Sequence, residues 1–125
     1  MNEKYDVIVI GAGAAGLMCS FEAGKRGKKV CLLEHSSKIA EKIRISGGGR
    51  CNFTNLFSTD SNFISNNKHF CKSAFSKYTQ DDFIKLVKNH KIDFYEKKLG
   101  QLFCTKSAKD IIEMLITECK NQKVE

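Results

Sequence analysis

The segment that most limits the fold is YDVIVIGAGAAG, residues 5–16. Tyr5 to Ile10 is a short run rich in β-branched residues that stops at a glycine, the pattern of a buried strand. Ala14 to Arg26 is rich in helix formers, and Gly27 stands where a helix ends. Val30 to Leu33 is a second short apolar run. The first 34 residues therefore read strand–helix–strand, for which a parallel βαβ unit is the natural solution. The fold class is α/β.

Gly11, Gly13 and Gly16 have the spacing G-x-G-x-x-G between that strand and that helix. Gly11 makes the tight turn, and Gly13, without a side chain, lets the backbone approach a pyrophosphate. Ala14 and Ala15 open the helix, whose amino end offers N–H groups and partial positive charge to phosphates. Gly16 lets the helix pack closely on the strand. Glu34 ends the second strand, where a carboxylate accepts hydrogen bonds from a ribose diol and repels a 2′-phosphate. That disfavours NADP but leaves FAD and NAD both open.

Residues 42–55, KIRISGGGRCNFTN, form a second glycine-bearing segment in a stretch that reads as irregular from His35 to Asn55. Gly47 to Gly49 permit unusual φ angles and expose backbone N–H groups, as an anion-binding nest does. Ser46, Arg50 and Thr54 supply donors around them, and Asn52 and Asn55 add amides. No G-K-[ST] follows, so this is not a Walker A loop. Cys51 beside Arg50 is in an electropositive setting that lowers a thiol pKa. The alternative is a small residue filling a tight turn.

Beyond this, Ser58 to Lys68 reads as a polar surface loop and Phe70 to Phe75 as a short helix. Thr79 with Asp82 three residues on predicts a capped helix whose apolar face is Phe83, Leu86, Val87 and His90. Ser107 with Asp110 predicts another, with Ile112, Leu115, Ile116 and Cys119 on its face. Ile92 to Tyr95 and Gln101 to Cys104 read as a hairpin turning near Gly100. Val124 is placed as the first residue of a further parallel strand, so the Rossmann-type sheet has two certain strands and an open edge. Of the other aromatic residues, Phe53, Phe57 and Phe63 are expected to anchor core or loop.

A hydrophobic fraction of 42% with nine Phe supports a packed core. The net charge of +7 is spread along the chain, with no basic block and no aromatic–basic signature, so a Lys-rich surface and no nucleic-acid partner are expected. The six cysteines show no C-x-x-C or metal-ligand spacing, which fits reduced, mostly buried thiols in a cytoplasmic protein and no metal site. No targeting or membrane segment is evident. His90, on an apolar helical face, reads as a packed histidine. No acid, base or nucleophile is identifiable, as expected where a cofactor carries the redox chemistry.

GAGAAG paired with KxxISGGGRCNxTN resembles the YhiN/HI0933-type flavoproteins, the aminoacetone-oxidase-like group of NAD(P)/FAD-dependent oxidoreductases. EKKLGQLFC, residues 96–104, followed by Ser107 to Asp110 is similar to that family's next segment. The resemblance implies FAD in a Rossmann-like domain, with a second, largely β domain further along a longer chain. It implies that Gly11, Gly13, Ala14, Ala15 and Gly16 hold the FAD pyrophosphate. Glu34 would bind the adenosine ribose, with His35 beside it. Ser46, Gly47, Gly49, Arg50, Cys51 and Asn52 would wrap the pyrophosphate-to-flavin side, with Lys42 on the same loop. Residues 1–125 then form the N-terminal part of the FAD-binding domain, expected by itself to retain FAD weakly or not at all. NAD(P)H is the implied electron donor, and the substrate is an unidentified small molecule. Two other readings stay open: an NAD-binding domain of another oxidoreductase, in which the SGGGRCN segment has no role, and a truncated, non-catalytic remnant or interaction module.

Overall fold

The computed structural model describes residues 2–125. Strand β1 (Val7–Ile10), helix α1 (Ala14–Lys25) and strand β2 (Val30–Leu33) form the expected unit, with β1 and β2 parallel in register from Val7 opposite Val30 to Ile10 opposite Leu33. β1 is shorter than predicted. Tyr5 and Asp6 precede it, and the Asp6 carboxylate instead accepts from the Lys29 N–H at 2.8 Å. Helix α1 ends in a Schellman motif. Gly27 has φ +75°, the Lys28 N–H reaches the Ala23 carbonyl and the Gly27 N–H reaches that of Gly24.

The order continues through helix α2 (Glu41–Ile45), strand β3 (Asn52–Asn55), helix α3 (Lys72–Lys77), helix α4 (Gln80–Asn89), strands β4 (Phe94–Glu96) and β5 (Gln101–Cys104), and helix α5 (Lys109–Asn121). β3, β5 and β4 form a separate antiparallel sheet in that order. The predicted hairpin is present, with β5 as expected and β4 beginning at Phe94 instead of Ile92. Two elements contradict the irregular reading of residues 35–55. α2 starts after Ala40, whose left-handed φ of 55° gives no capping signal, and β3 is a polar strand bonded to the distant β5.

α4 starts with the predicted capping box, in which the Thr79 N–H donates to Asp82 Oδ2 at 2.8 Å. Ile84 and Val87 are buried, while His90 is half-buried at the helix end with Nε2 2.7 Å from Glu118 Oε1. α5 begins two residues after Ser107. The Ser107 hydroxyl accepts from the Lys109 N–H and the Ser107 carbonyl from the Asp110 N–H, both at 3.1 Å, but among the described residues the Asp110 carboxylate accepts no bond from Ser107. α5 is more deeply embedded than its predicted face: Ile111 and Met114 are buried beside Ile112, Leu115 and Cys119.

The main core joins α1, α4 and α5 to β5, around Leu17, Phe21, Val87, Cys104, Ile111 and Leu115. α1 and α5 approach so closely that a Cβ on Gly24 would lie 2.5 Å from that of Gln122. The buried Ser20 hydroxyl is satisfied by the Gly16 carbonyl at 2.7 Å. After α5, the Glu125 N–H donates to the Val30 carbonyl and the Leu32 N–H to that of Glu125, at 3.1 and 2.7 Å. The chain thus enters the sheet alongside β2, as the position of Val124 predicts. Ile8, Ile10 and Leu33, 60%, 86% and 50% exposed, leave one face of β1 and β2 bare. Of the thiols expected to be mostly buried, Cys51, Cys104 and Cys119 are buried, Cys31 and Cys71 are half-buried, and Cys19 is exposed on α1. Phe53 packs against Phe83 and Phe94, whereas Phe57 and Phe63 are exposed. No helix among the described residues is long and apolar enough to cross a membrane.

Candidate functional site

The first glycine turn has three different steric demands. Gly11 has φ +101°, a conformation that favours glycine, and its N–H donates to the Leu33 carbonyl at 2.7 Å. A Cβ on Gly16 would lie 1.8 Å from the Gly11 carbonyl oxygen, so only glycine allows α1 to come this close to β1. A Cβ on Gly13 would meet no protein atom within 4 Å. Gly13 is the N-cap of α1, with no side-chain capping bond and no acidic residue in the first turn. The helix presents its first-turn N–H groups without an anion of its own.

Glu34 is tied into this turn. Its Oε2 accepts from the Ala12 N–H at 2.9 Å, and its Oε1 accepts from the Ser36 N–H and hydroxyl at 3.0 and 2.8 Å. These bonds, the two from Ser36 foremost and then that from Ala12, hold the carboxyl down to about 2. His35 extends into solvent with Nδ1 3.0 Å from Glu34 Oε1.

The SGGGRC segment is braced from within. Gly47, Gly48 and Gly49 all have positive φ. A Cβ on Gly47 would come within 2.7 Å of the Asn52 nitrogen and 2.8 Å of the Phe103 ring. The Arg50 and Cys51 N–H groups close back on the Gly47 and Ser46 carbonyls. The Gly49 and Arg50 carbonyls accept from Ala108 and Cys104, at 2.7 and 2.9 Å. Those two N–H groups are therefore not donors to an anion. Cys51 is buried with a left-handed φ of 52°, and burial pushes its thiol up, opposed by the Ser46 hydroxyl. The expected lowering by Arg50 does not occur, because that side chain is exposed and its charge faces water. Cys104, nearby, is pushed up to about 12 by burial and then by Cys51.

A cavity of about 550 Å³ brings the two segments together. Ala14 and Ala15 line it from α1, and Lys42, Ser46, Cys51 and Asn52 line it from the second segment. Gly11, Gly13, Gly16, Glu34, His35, Gly47, Gly49 and Arg50 are not on its wall. The first five belong to the turn and the end of β2 beside it, and the last three to the body of the second loop. Sequence reasoning missed the cavity's aromatic side, where Phe53, Phe63, Phe75, Tyr78 and Phe83 stand. The density of Phe between residues 53 and 83 was the available signal, but nothing local says which rings face a common space. Tyr78 is pushed up to about 12 by burial and then by Asp82, Glu22 and Glu118. On the same wall, Gln80 donates through Nε2 to the Leu56 carbonyl, while its buried Oε1 has no partner.

Residues 5–125 match the family described as "HI0933-like protein Rossmann domain". The chain is 52% identical over 122 residues, 98% of its length, to the ribosomal RNA dihydrouridine synthase of Escherichia coli strain K12. It is 50% identical over 119 residues, 95% of its length, to the protein of the same name from Haemophilus influenzae. The chain spans about 30% of the length of each. Among solved structures, that of THI4 from Thermovibrio ammonificans superposes with a TM-score of 0.59 at 13% identity, covering 97% of this chain and 36% of that one. That likeness establishes the Rossmann-like α/β architecture.

Proposed function

Because the chain belongs to the HI0933-like Rossmann domain family, we propose that it is the FAD-holding region of an enzyme that forms dihydrouridine in ribosomal RNA. The observation that carries the cofactor half is the shared cavity, where Ala14 and Ala15 of the uncapped α1 terminus face Lys42, Ser46 and Asn52. The substrate half is supported by the name of the two relatives matched over nearly the whole chain. It departs from the expectations, drawn from composition and resemblance, of no nucleic-acid partner and a small-molecule substrate.

The residues fit a dinucleotide. In this proposal the Ala14 and Ala15 N–H groups receive a phosphate, with Gly13 keeping the approach clear. Glu34, ionised at all working pH values, fixes the adenosine ribose beside His35. Lys42 and Ser46 add positive charge and a hydroxyl where the dinucleotide continues toward the aromatic wall. The buried Gln80 Oε1 offers an acceptor to a ring N–H. Gly16, Gly47, Gly49, Arg50 and Cys51 act through backbone shape and not through contacts of their side chains. When bound, FAD supplies the hydride-transfer chemistry of the reduction. Dihydrouridine has two more hydrogens than uridine, across C5=C6. The balanced reaction takes one as a hydride originating in NAD(P)H and one as a proton from solvent, and releases NAD(P)⁺.

The test is to express the complete gene product, identify the dinucleotide released on denaturation, and incubate the protein with NAD(P)H and unmodified ribosomal RNA. Released FAD and dihydrouridine detected by mass spectrometry of the digested RNA are the expected results. Released NAD, or RNA left unreduced by flavin-loaded protein, overturns the reading.

A further inference from the structure

Next to the cofactor cavity lies a second surface that neither the glycine turns nor the core explains. The β4–β5 turn folds back on the start of the polar loop. The Leu56 N–H donates to the Gly100 carbonyl and Asn55 Nδ2 to that of Leu99, both at 2.9 Å. Gly100, at φ +78°, has no side chain, and a Cβ there would lie 2.7 Å from the Phe57 ring. The ring is seated on that backbone, yet 70% of Phe57 is exposed, as is 79% of neighbouring Leu99. Together with Asn55, Ser58 and Asn62 they line a concavity of about 360 Å³.

Lys97 and Lys98 form the exposed rim of the same turn; neither is in an ion pair among the described residues, and Lys97 Nζ rests 5.3 Å from the centroid of the Phe103 ring. The nearby acids are engaged: Glu96 accepts from the Gly100 N–H at 3.0 Å, and Asp60 is 4.0 Å from Lys72. Ser58 lines both this concavity and the cofactor cavity, so the two surfaces are continuous.

An exposed ring seated on the same turn as lysines outside any ion pair is a combination that binds single-stranded nucleic acid: any base stacks on the ring and the lysines meet phosphates. We infer that Phe57, Leu99, Lys97 and Lys98 form a docking surface for unpaired ribosomal RNA, holding nucleotides that flank the one entering the adjoining cavity. This rests on the RNA substrate proposed above. No aromatic–basic signature exists in the sequence because the ring and the lysines are 40 residues apart, and the fold assembles them.

The experiment uses the complete gene product, its F57A, F57Y and K97A/K98A variants, and a single-stranded ribosomal RNA oligonucleotide followed by fluorescence anisotropy. F57A is expected to weaken binding about tenfold, within the range for loss of one stacked base, and F57Y to restore it. K97A/K98A is expected to flatten the dependence of log affinity on log salt by roughly 1.4, at about 0.7 per lysine. Flavin content, read by absorbance, is expected to stay at the wild-type level in all three. Unchanged RNA affinity and salt slope in F57A and K97A/K98A, while wild-type protein still forms dihydrouridine, would overturn the surface and leave the proposed function standing. Wild-type protein that forms no dihydrouridine in RNA would remove the proposed function. Loss of affinity for assembled ribosomal particles with none for naked RNA would assign the surface to a protein partner and overturn the inference.

Discussion

The two glycine-bearing turns face one cavity yet spend their glycines differently. In GAGAAG, the space a side chain would occupy at Gly13 is open and only Gly16 is crowded, by the Gly11 carbonyl. In SGGGRC the crowding is by other elements. Phe103 of β5 presses on Gly47, and the Cys104 and Ala108 N–H groups grip the Arg50 and Gly49 carbonyls. The first turn runs from β1 into α1 and is tied by backbone N–H groups to Leu33 and Glu34 at the end of β2. The second is a splint, held by residues more than fifty positions away. Identical residue types can thus leave space open in one place and make close contact with the protein in another.

The largest effect that separates these roles is expected at Gly16. G16A forces overlap with backbone that cannot yield and should cost about 4 kcal/mol or more, read as thermal unfolding and loss of flavin from the complete protein. G47A also meets backbone and a ring, at a φ of 56° that disfavours a side chain. A loss of about 2–3 kcal/mol is expected, measured by denaturant unfolding. A stable G47A protein would mean that the second segment is not braced as described. G13A is expected to leave stability within about 0.5 kcal/mol, because φ is −85° and no protein atom is near. Its FAD affinity should fall at least about tenfold, the factor set by about 1.4 kcal/mol of lost contact. Calorimetric titration of FAD into deflavinated protein would reveal a G13A affinity equal to wild type, which would break the contrast between the turns.

The smallest effect concerns Glu34 and appears only in acid. Its carboxyl is held at about 2, below its ordinary 4.5, so the stabilisation it gives is complete above about 4.5 and fades as pH falls toward 2. E34Q melts at pH 7 and pH 3 are expected to show a smaller acid-induced drop than wild type. Equal drops would mean that the bonds to Ala12 and Ser36 contribute nothing.

The first turn was legible in the sequence because each of its signals is local: a β-branched run, three glycines in register, a helix, and an acid at the end of the second strand. The capping box at Thr79 and Asp82 was legible for the same reason. β3 was not. NFTN is polar, and its pairing with β5, with a bulge between Asn52 and Thr54, depends on a strand almost fifty residues on. α2 begins from a left-handed alanine with no capping residue to announce it. For Cys51, sequence leaves two readings because adjacency to Arg50 suggests electrostatic contact; the fold turns the thiol inward at a left-handed position, in keeping with a small residue in a tight turn, and the guanidinium outward. The aromatic wall of the cavity and the ring-and-lysine surface are products of tertiary placement alone.

The bare face of β1 and β2 has a consequence for handling these residues by themselves. Ile8, Ile10 and Leu33 make a flat, greasy tile on parallel strands, which ordinarily are sheathed on both sides. Surfaces of that kind adhere to one another, more so on mild warming, and strong like charge opposes them only at low salt. A concentrated preparation of residues 1–125 should therefore turn cloudy first in warm, salty buffer.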